Sequence, residues 1–241
     1  MTRMDRSSRA LLRTVAALGL FALVTPTLAA AQTVVLDQGT YRIAVGGRDV
    51  GTETFTIRRS GSGTGAVIIA SGRVALAAGD VRELTSQLQV SGSSLRPAAY
   101  DVTVQGDGQE KIAGRIVGGR FSAQISSTSG ENMREYLVSD GAILVEEGIA
   151  HHHYFIARRI DSGTARVPIV VPRQNRQVWA DVAVTGTEAI RIGGQSIEAR
   201  RITVRPTDGA ERVLWADDVG RVLRLEIPSQ QYVAERTAPP E

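Results

Sequence analysis

The chain has 241 residues, with 28 Lys and Arg against 25 Asp and Glu, and a formal net charge of +3. Residues 1–31 hold four arginines and one acid, which leaves 24 basic and 24 acidic residues in 32–241. Without the first segment there is no basic excess to attract nucleic acid or an anionic membrane surface. With 42% hydrophobic residues, the composition is also too apolar for a disordered chain.

The first 31 residues have the pattern of a secretory signal peptide. An arginine-rich start precedes the apolar run Ala16–Val24, Pro26 interrupts it, and the small residues of 28–31 offer a cleavage site before Gln32. The apolar run is about half the ~20 residues that a spanning helix needs. We therefore expect a periplasmic protein with no integral membrane segment after cleavage. The chain has no cysteine, which excludes disulfides and a lipid-modified N-terminal cysteine.

The rest of the chain is dominated by period-two alternation of apolar and polar residues. Segments with this pattern are 41–45, 54–58, 82–90, 100–105, 121–126, 178–184 and 223–227. One buried and one wet face is typical of antiparallel sheet. Turn signals such as Gly46-Gly47 and Gly193-Gly194 separate the runs. The sequence predicts an all-β domain over 32–236, of about a dozen strands, followed by a flexible tail at 237–241.

One segment departs from the strand pattern. Residues 149–160 place apolar or aromatic side chains at 149, 152, 153, 156 and 160, which is the stripe of an amphipathic helix. Two glutamates precede this stripe and two arginines end it, as the helix dipole favours. The sequence therefore predicts a large curved antiparallel sheet, a half-barrel or open barrel, packed over a helix at 149–160.

The three histidines of the chain are consecutive, at 151–153. Adjacent helical residues point about 100° apart, so the three rings cannot close on one ion, and zinc needs three or four ligands from separated positions. We expect no metal site and no cofactor. His152, His153 and the following Tyr154 are retained as candidate ligand-binding residues.

Two alternatives to a binding role remain open. A metal-assisted hydrolase could use His152 or His153, and an aspartic protease could use Asp161 in the D-S-G-T tetrapeptide. That tetrapeptide occurs once and follows two arginines rather than an apolar strand, and no catalytic set is complete. A third alternative is an interaction protein that extends a partner's sheet through an exposed edge strand.

The two tryptophans, Trp179 and Trp215, are large in a chain that is only 5% aromatic. They are either packed in a core or line an apolar cavity, and we retain both as candidate ligand-binding residues.

Three stretches carry a resemblance to a known group of proteins. These are the hairpin 41–53 (Y-x-I-x-V-G-x-x-x-V-G-x-E), the segment 145–159 with its His-His-Tyr, and 215–226 (W-x-D-x-x-G-R-V-L-R-L-E). Together they resemble uncharacterised secreted bacterial β-rich proteins, a family of unknown function. The resemblance implies that His152, His153 and Tyr154 lie on a shared helix. More distantly, the layout is similar to the half-barrel of lipoprotein carriers.

The leading hypothesis is a soluble periplasmic protein with a binding or structural role in the cell envelope. Its expected partner is an apolar, lipid-like small molecule or an envelope component, and an enzyme is the less favoured interpretation.

Overall fold

The computed structural model describes residues 33–77 and 81–241. Within these residues the chain forms fifteen strands. In chain order they are β1 (Thr33–Val45), β2 (Arg48–Ser60), β3 (Val67–Leu76), β4 (Val81–Ser91), β5 (Pro97–Gly106), β6 (Glu110–Val117), β7 (Arg120–Ser127), β8 (Gly130–Leu137), β9 (Ile143–Leu144), β10 (Thr164–Val171), β11 (Arg176–Ile192), β12 (Gln195–Pro206), β13 (Arg212–Ala216), β14 (Val222–Ile227) and β15 (Tyr232–Arg236).

All fifteen strands belong to one sheet, in the order β8-β7-β6-β5-β4-β3-β2-β1-β15-β14-β13-β12-β11-β10-β9. Consecutive strands are therefore neighbours in the sheet, except that β8 and β9 lie at its two opposite edges. The first strand, β1, pairs with the last, β15, and this pair joins the two halves of the meander. The pairs are antiparallel apart from β9 with β10, which is parallel. The sheet curves around its own core, and the predicted all-β fold with an open, curved antiparallel sheet is confirmed.

The alternation seen in the sequence decides which face of each strand is buried. In β1 the side chains of Tyr41 and Ile43 are 0% and 1% exposed, and in β4 Leu84 and Leu88 are buried in the same way. Because successive side chains of a strand point to opposite faces, every second residue reaches the interior. Gly46 and Gly47 close the first hairpin with φ of +58° and +76°, which are the angles that its tight turn requires.

The interior of the curved sheet contains the histidine segment. His151–His153 form a 3₁₀ turn that continues into the short helix α1 (Tyr154–Arg159). The helical segment is shorter than the predicted 149–160. It begins at His151 and ends at Arg159, because Ile160 is already extended, with a φ of −124°. All three histidines and the first four residues of α1 are buried. The segment 151–157, which carries the helical pattern of the sequence, therefore lies inside the curved sheet and forms a plug in its core.

A second, smaller apolar cluster accompanies the main core. It consists of Ile192, Ala199, Val213, Trp215 and Leu223, from β11 to β14. Val213 and Trp215 alternate along β13 with Leu214 and Ala216, which belong to the main core. The second cluster therefore lies on the outer face of the sheet.

Past β15, the backbone N–H of Thr237 donates a hydrogen bond to the carbonyl oxygen of Thr40, at 2.9 Å.

The predicted signal peptide lies outside the described residues. Among the helices in the described part of the chain, none has the length and apolar character needed to cross a membrane.

Candidate functional site

The histidine segment is fastened to the sheet by a buried carboxylate. Glu53 of β2 accepts hydrogen bonds from the backbone N–H groups of Ala150 (2.7 Å) and His151 (2.9 Å), and one of its oxygens lies 2.6 Å from Nδ1 of His151. These N–H groups belong to the start of the helical segment, where the backbone leaves donors free. Glu53 therefore acts as a capping group supplied by a distant strand.

Gly72 of β3 provides the space for the imidazole of His151. A Cβ atom at Gly72 would lie 2.5 Å from Cε1 of His151, closer than two carbon atoms can approach. On its other side the ring of His151 stacks on Phe55, with centroids 5.6 Å apart. The contact between sheet and plug thus depends on the absence of a side chain at position 72.

His152 is completely buried and its tautomer follows from its contacts. Its Nδ1 accepts a hydrogen bond from the backbone N–H of Glu146, at 3.2 Å. Burial, and then the neighbouring His151 and His153, hold the pKa of His152 well below its usual range. The ring is therefore neutral and carries its hydrogen on Nε2, where no partner is present among the described residues.

His153 has the opposite tautomer. Its Nδ1 lies 3.1 Å from the carbonyl oxygen of Ala150, which can only accept, so Nδ1 carries the hydrogen. Burial lowers the pKa of His153 to about 3, so the ring is neutral at physiological pH. Its Nε2 is then a lone-pair acceptor without a partner in the described part of the chain.

A partly enclosed pocket of about 270 Å³ lies next to His153. Its walls combine an apolar set with a polar set. The apolar residues are Val74, Leu76, Leu84, Ile149, Leu225 and Ile227, and the polar side chains are those of Glu146, Glu147, His153, Arg173, Arg212, Gln230 and Tyr232. Larger depressions of about 450 and 490 Å³ occur elsewhere, but the buried groups Glu146 and His153 line this pocket.

Glu146 is the most perturbed acid of the pocket. Burial raises its pKa from an ordinary value of 4.5 to about 7, against the backbone N–H of Arg173, which favours the charged form. The hydroxyl of Tyr100 donates to Oε2 of Glu146 at 3.4 Å, and the backbone N–H of Glu147 donates to Oε1 at 3.0 Å. A buried carboxyl group whose charge changes near pH 7 is typical of functional sites.

The two arginines of the pocket differ in how they are paired. Nε of Arg173 lies 3.3 Å from a carboxylate oxygen of Glu110, an ion pair. The guanidinium of Arg212 donates one hydrogen bond, from Nη1 to the carbonyl oxygen of Ala210 at 3.0 Å, and burial lowers its pKa. Among the described residues no carboxylate forms a salt bridge with Arg212.

The hydroxyl of Tyr232, also in the pocket wall, is buried with no partner in the described ranges.

The structure brings only one of the five candidate residues from the sequence to the pocket. His153 lines it, while His152 and Tyr154 are packed in the interior, 0% and 4% exposed. Trp179 is 39% exposed, with Arg166 over its ring. Trp215 lies in the outer cluster, where its Nε1 donates to Glu188 at 2.6 Å.

The residues named in the two hydrolase alternatives differ in their solvent exposure. Asp161 is exposed in the turn that follows α1, whereas His152 is fully buried. In the described ranges, no group of three or more His, Cys, Asp or Glu side chains is placed to hold a metal ion.

Sequence reasoning missed Arg173, Arg212, Tyr232 and the role of Glu53, although a signal for two of them exists. Glu53 occupies the buried parity of β2, shared with Phe55 and Ile57. Arg212 shares the inward parity of β13 with Leu214. A charged residue on the apolar side of an alternating strand requires a partner or a pocket, and this pattern can be recognised without a structure.

The fold and the plugged interior define a β-barrel-like protein of unknown function. The chain is similar to a solved structure described as a β-barrel-like protein of the domain of unknown function DUF1849 from Brucella abortus. The match has a TM-score of 0.50 and 8% sequence identity, and covers 86% of this chain and 96% of that chain. At this identity the likeness concerns the fold alone. No family model and no curated protein matches the chain.

Proposed function

We propose that the protein binds a small, lipid-like molecule in the pocket beside His153. The observation that carries this proposal is the composition of the pocket wall, in which six aliphatic side chains adjoin a group of polar ones. Ligand pockets are commonly apolar concavities with a few placed polar groups. A carboxyl group with a raised pKa in a cavity that half-buried arginines also line supports a binding site.

We also propose that the protein is periplasmic. Support comes from the charged, apolar and small-residue order of residues 1–31, which is that of a cleaved export signal. Fractionation of cells that express the chain should recover it in the periplasmic fraction, with Gln32 as its first residue. Recovery of the uncleaved chain in the cytoplasm would contradict this location.

Binding is tested by extracting the purified native protein with organic solvent and identifying the released molecules by mass spectrometry. The matched variants are Leu76→Trp, which fills the pocket from a half-buried position, and Leu137→Trp, whose side chain is 72% exposed. We expect an apolar compound in near-stoichiometric amount from the wild type and from Leu137→Trp. We expect its loss from Leu76→Trp.

The same variants are then titrated with N-phenylnaphthylamine, a neutral probe that fluoresces in apolar surroundings. Equal binding by all three proteins would show that the probe occupies another part of the molecule. No binding by the wild type, together with an empty extract, would overturn the proposed function.

A further inference from the structure

We infer that the ligand of this pocket is an amphiphile with a single negative charge, a long-chain carboxylate, and that Arg212 binds its head group. The inference rests on the proposed function and adds the chemical class of the ligand.

Arg212 has hydrogen-bonding capacity that the described residues do not use. A guanidinium has five N–H donors in a fixed plane, and one hydrogen bond, to the carbonyl oxygen of Ala210, is formed with the described residues. Ion pairs occupy the two nearby arginines, Arg173 with Glu110 and Arg176 with Asp208. Arg212 is therefore the cation of the pocket that an incoming anion can bind without breaking an ion pair.

The acids around Arg212 limit the number of negative charges that a head group can carry. Glu147 lines the pocket beside Arg212, and its charge acts on that guanidinium. Glu146 adds a further negative charge whenever it is ionised. A phosphate dianion would meet one free cation and two acids, and the uncompensated charge would be costly in a partly buried site. A carboxylate matches Arg212 in charge and in its two-oxygen geometry.

The rest of the pocket wall is suited to an aliphatic chain. Arg212 begins β13 on the inward face, and the neighbouring strand β14 supplies Leu225 and Ile227 to the same pocket. Across the cavity, Val74, Leu76 and Leu84 come from β3 and β4. An aliphatic chain that starts at the guanidinium is thus surrounded by aliphatic side chains, which favours burial of its methylene groups.

The experiment compares three ligands with similar alkyl chains and different head groups, namely dodecanoate, dodecanol and dodecyl phosphate. Each displaces N-phenylnaphthylamine from the purified mature protein at neutral pH and low ionic strength. We expect the wild type to bind dodecanoate at least about tenfold more tightly than dodecanol, as a charge-assisted hydrogen-bonded pair allows. Arg212→Met should bind dodecanoate and dodecanol equally, and Arg212→Lys should recover part of the preference. The control is Arg205→Met, which removes an exposed arginine paired with Glu211 and should behave as the wild type.

The outcomes separate the inference from the proposed function. If dodecanoate and dodecanol bind the wild type equally and Arg212→Met changes neither, the head-group assignment is wrong and the binding function stands. If dodecyl phosphate binds more tightly than dodecanoate, the single-charge assignment is wrong. If none of the three displaces the probe from a wild type that shows its normal unfolding transition, both the inference and the proposed function fail.

Discussion

Two arginines on the inner face of the sheet, the buried Arg236 and the half-buried Arg212, show opposite ways of accommodating a cation. Arg236 of β15 donates to both carboxylate oxygens of Asp37, at 2.5 and 2.6 Å, and to the carbonyl oxygens of Gln38 and Val222. Its guanidinium also lies over the ring of Phe55, at 5.0 Å from the centroid. Arg212 forms one hydrogen bond to a carbonyl group in the described part of the chain.

The difference indicates which of the two arginines belongs to the fold and which is available for binding. Every side of Arg236 is occupied by protein, so a ligand would have to displace an existing contact. Arg212 borders a cavity and retains donors that no residue of 33–77 or 81–241 occupies. Burial of a charge is costly unless it is paired and hydrogen-bonded. An incompletely paired arginine at a cavity therefore does little for the stability of the fold, and a role in binding a ligand explains its presence better.

The largest effect should come from breaking the saturated pair. Asp37→Ala leaves the cation of Arg236 buried without its carboxylate, and we expect a loss of about 3–5 kcal/mol in the free energy of unfolding, measured by urea denaturation. The control is Asp49→Ala, which removes an exposed partner of Arg42 and should cost about 0.5 kcal/mol or less. Similar losses for the two variants would remove the distinction between the saturated pair and a surface pair.

The next effect concerns pH and the carboxyl group of Glu146. Because its folded pKa of about 7 lies above the ordinary 4.5, the folded state retains a proton that the unfolded chain has released. The stabilisation that this proton gives the folded state is therefore fully present below pH 4.5 and is lost as the pH rises to about 7. The free energy of unfolding falls by about 3 kcal/mol in total from this cause.

Unfolding of the wild type and Glu146→Gln across this range measures that loss as the difference between the two profiles. His152 and His153, whose lowered pKa values act in the opposite direction, are common to both proteins and cancel. Glu131→Gln, on the exposed side of β8, should give a profile parallel to that of the wild type. Parallel profiles for Glu146→Gln as well would show that this carboxyl group is not protonated on folding.

A smaller effect should follow from filling the space under His151. In Gly72→Ala the new Cβ meets the imidazole, and the ring is held by Glu53 and Phe55, so we expect a cost of about 2 kcal/mol from overpacking. Gly108→Ala is the matched control, since a Cβ there has no atom within 4 Å. We expect a change of about 0.5 kcal/mol or less at this position. If Gly72→Ala is equally neutral, the ring is free to move and the plug is not fixed by this contact.

The sequence was sufficient for the sheet and insufficient for the site, for physical reasons. Alternation along β1 or β4 records which face is buried, and this is a property of each strand alone. The pairing of Glu53 with His151 joins residues 98 positions apart, and no local pattern records which buried acid meets which imidazole. Trp215 is buried, as expected for a large aromatic side chain. The alternation along β13 does not show whether its side chain lies on the outer or the inner face of the sheet.

The smallest effect should come from Arg212 itself, and it tests the comparison most directly. Arg212 has one side-chain hydrogen bond to the residues that the structure describes. Its removal abolishes both the cost of desolvating the cation and this weak contact. We expect Arg212→Met to change the free energy of unfolding by about 1 kcal/mol or less, with the sign toward greater stability, because an aliphatic side chain suits the wall formed by Leu225 and Ile227. Urea denaturation of ligand-free protein measures this change. A loss of stability comparable to that of Asp37→Ala would mean that Arg212, like Arg236, is a structural residue. Retained stability together with loss of carboxylate binding would show that Arg212 serves binding and not the fold.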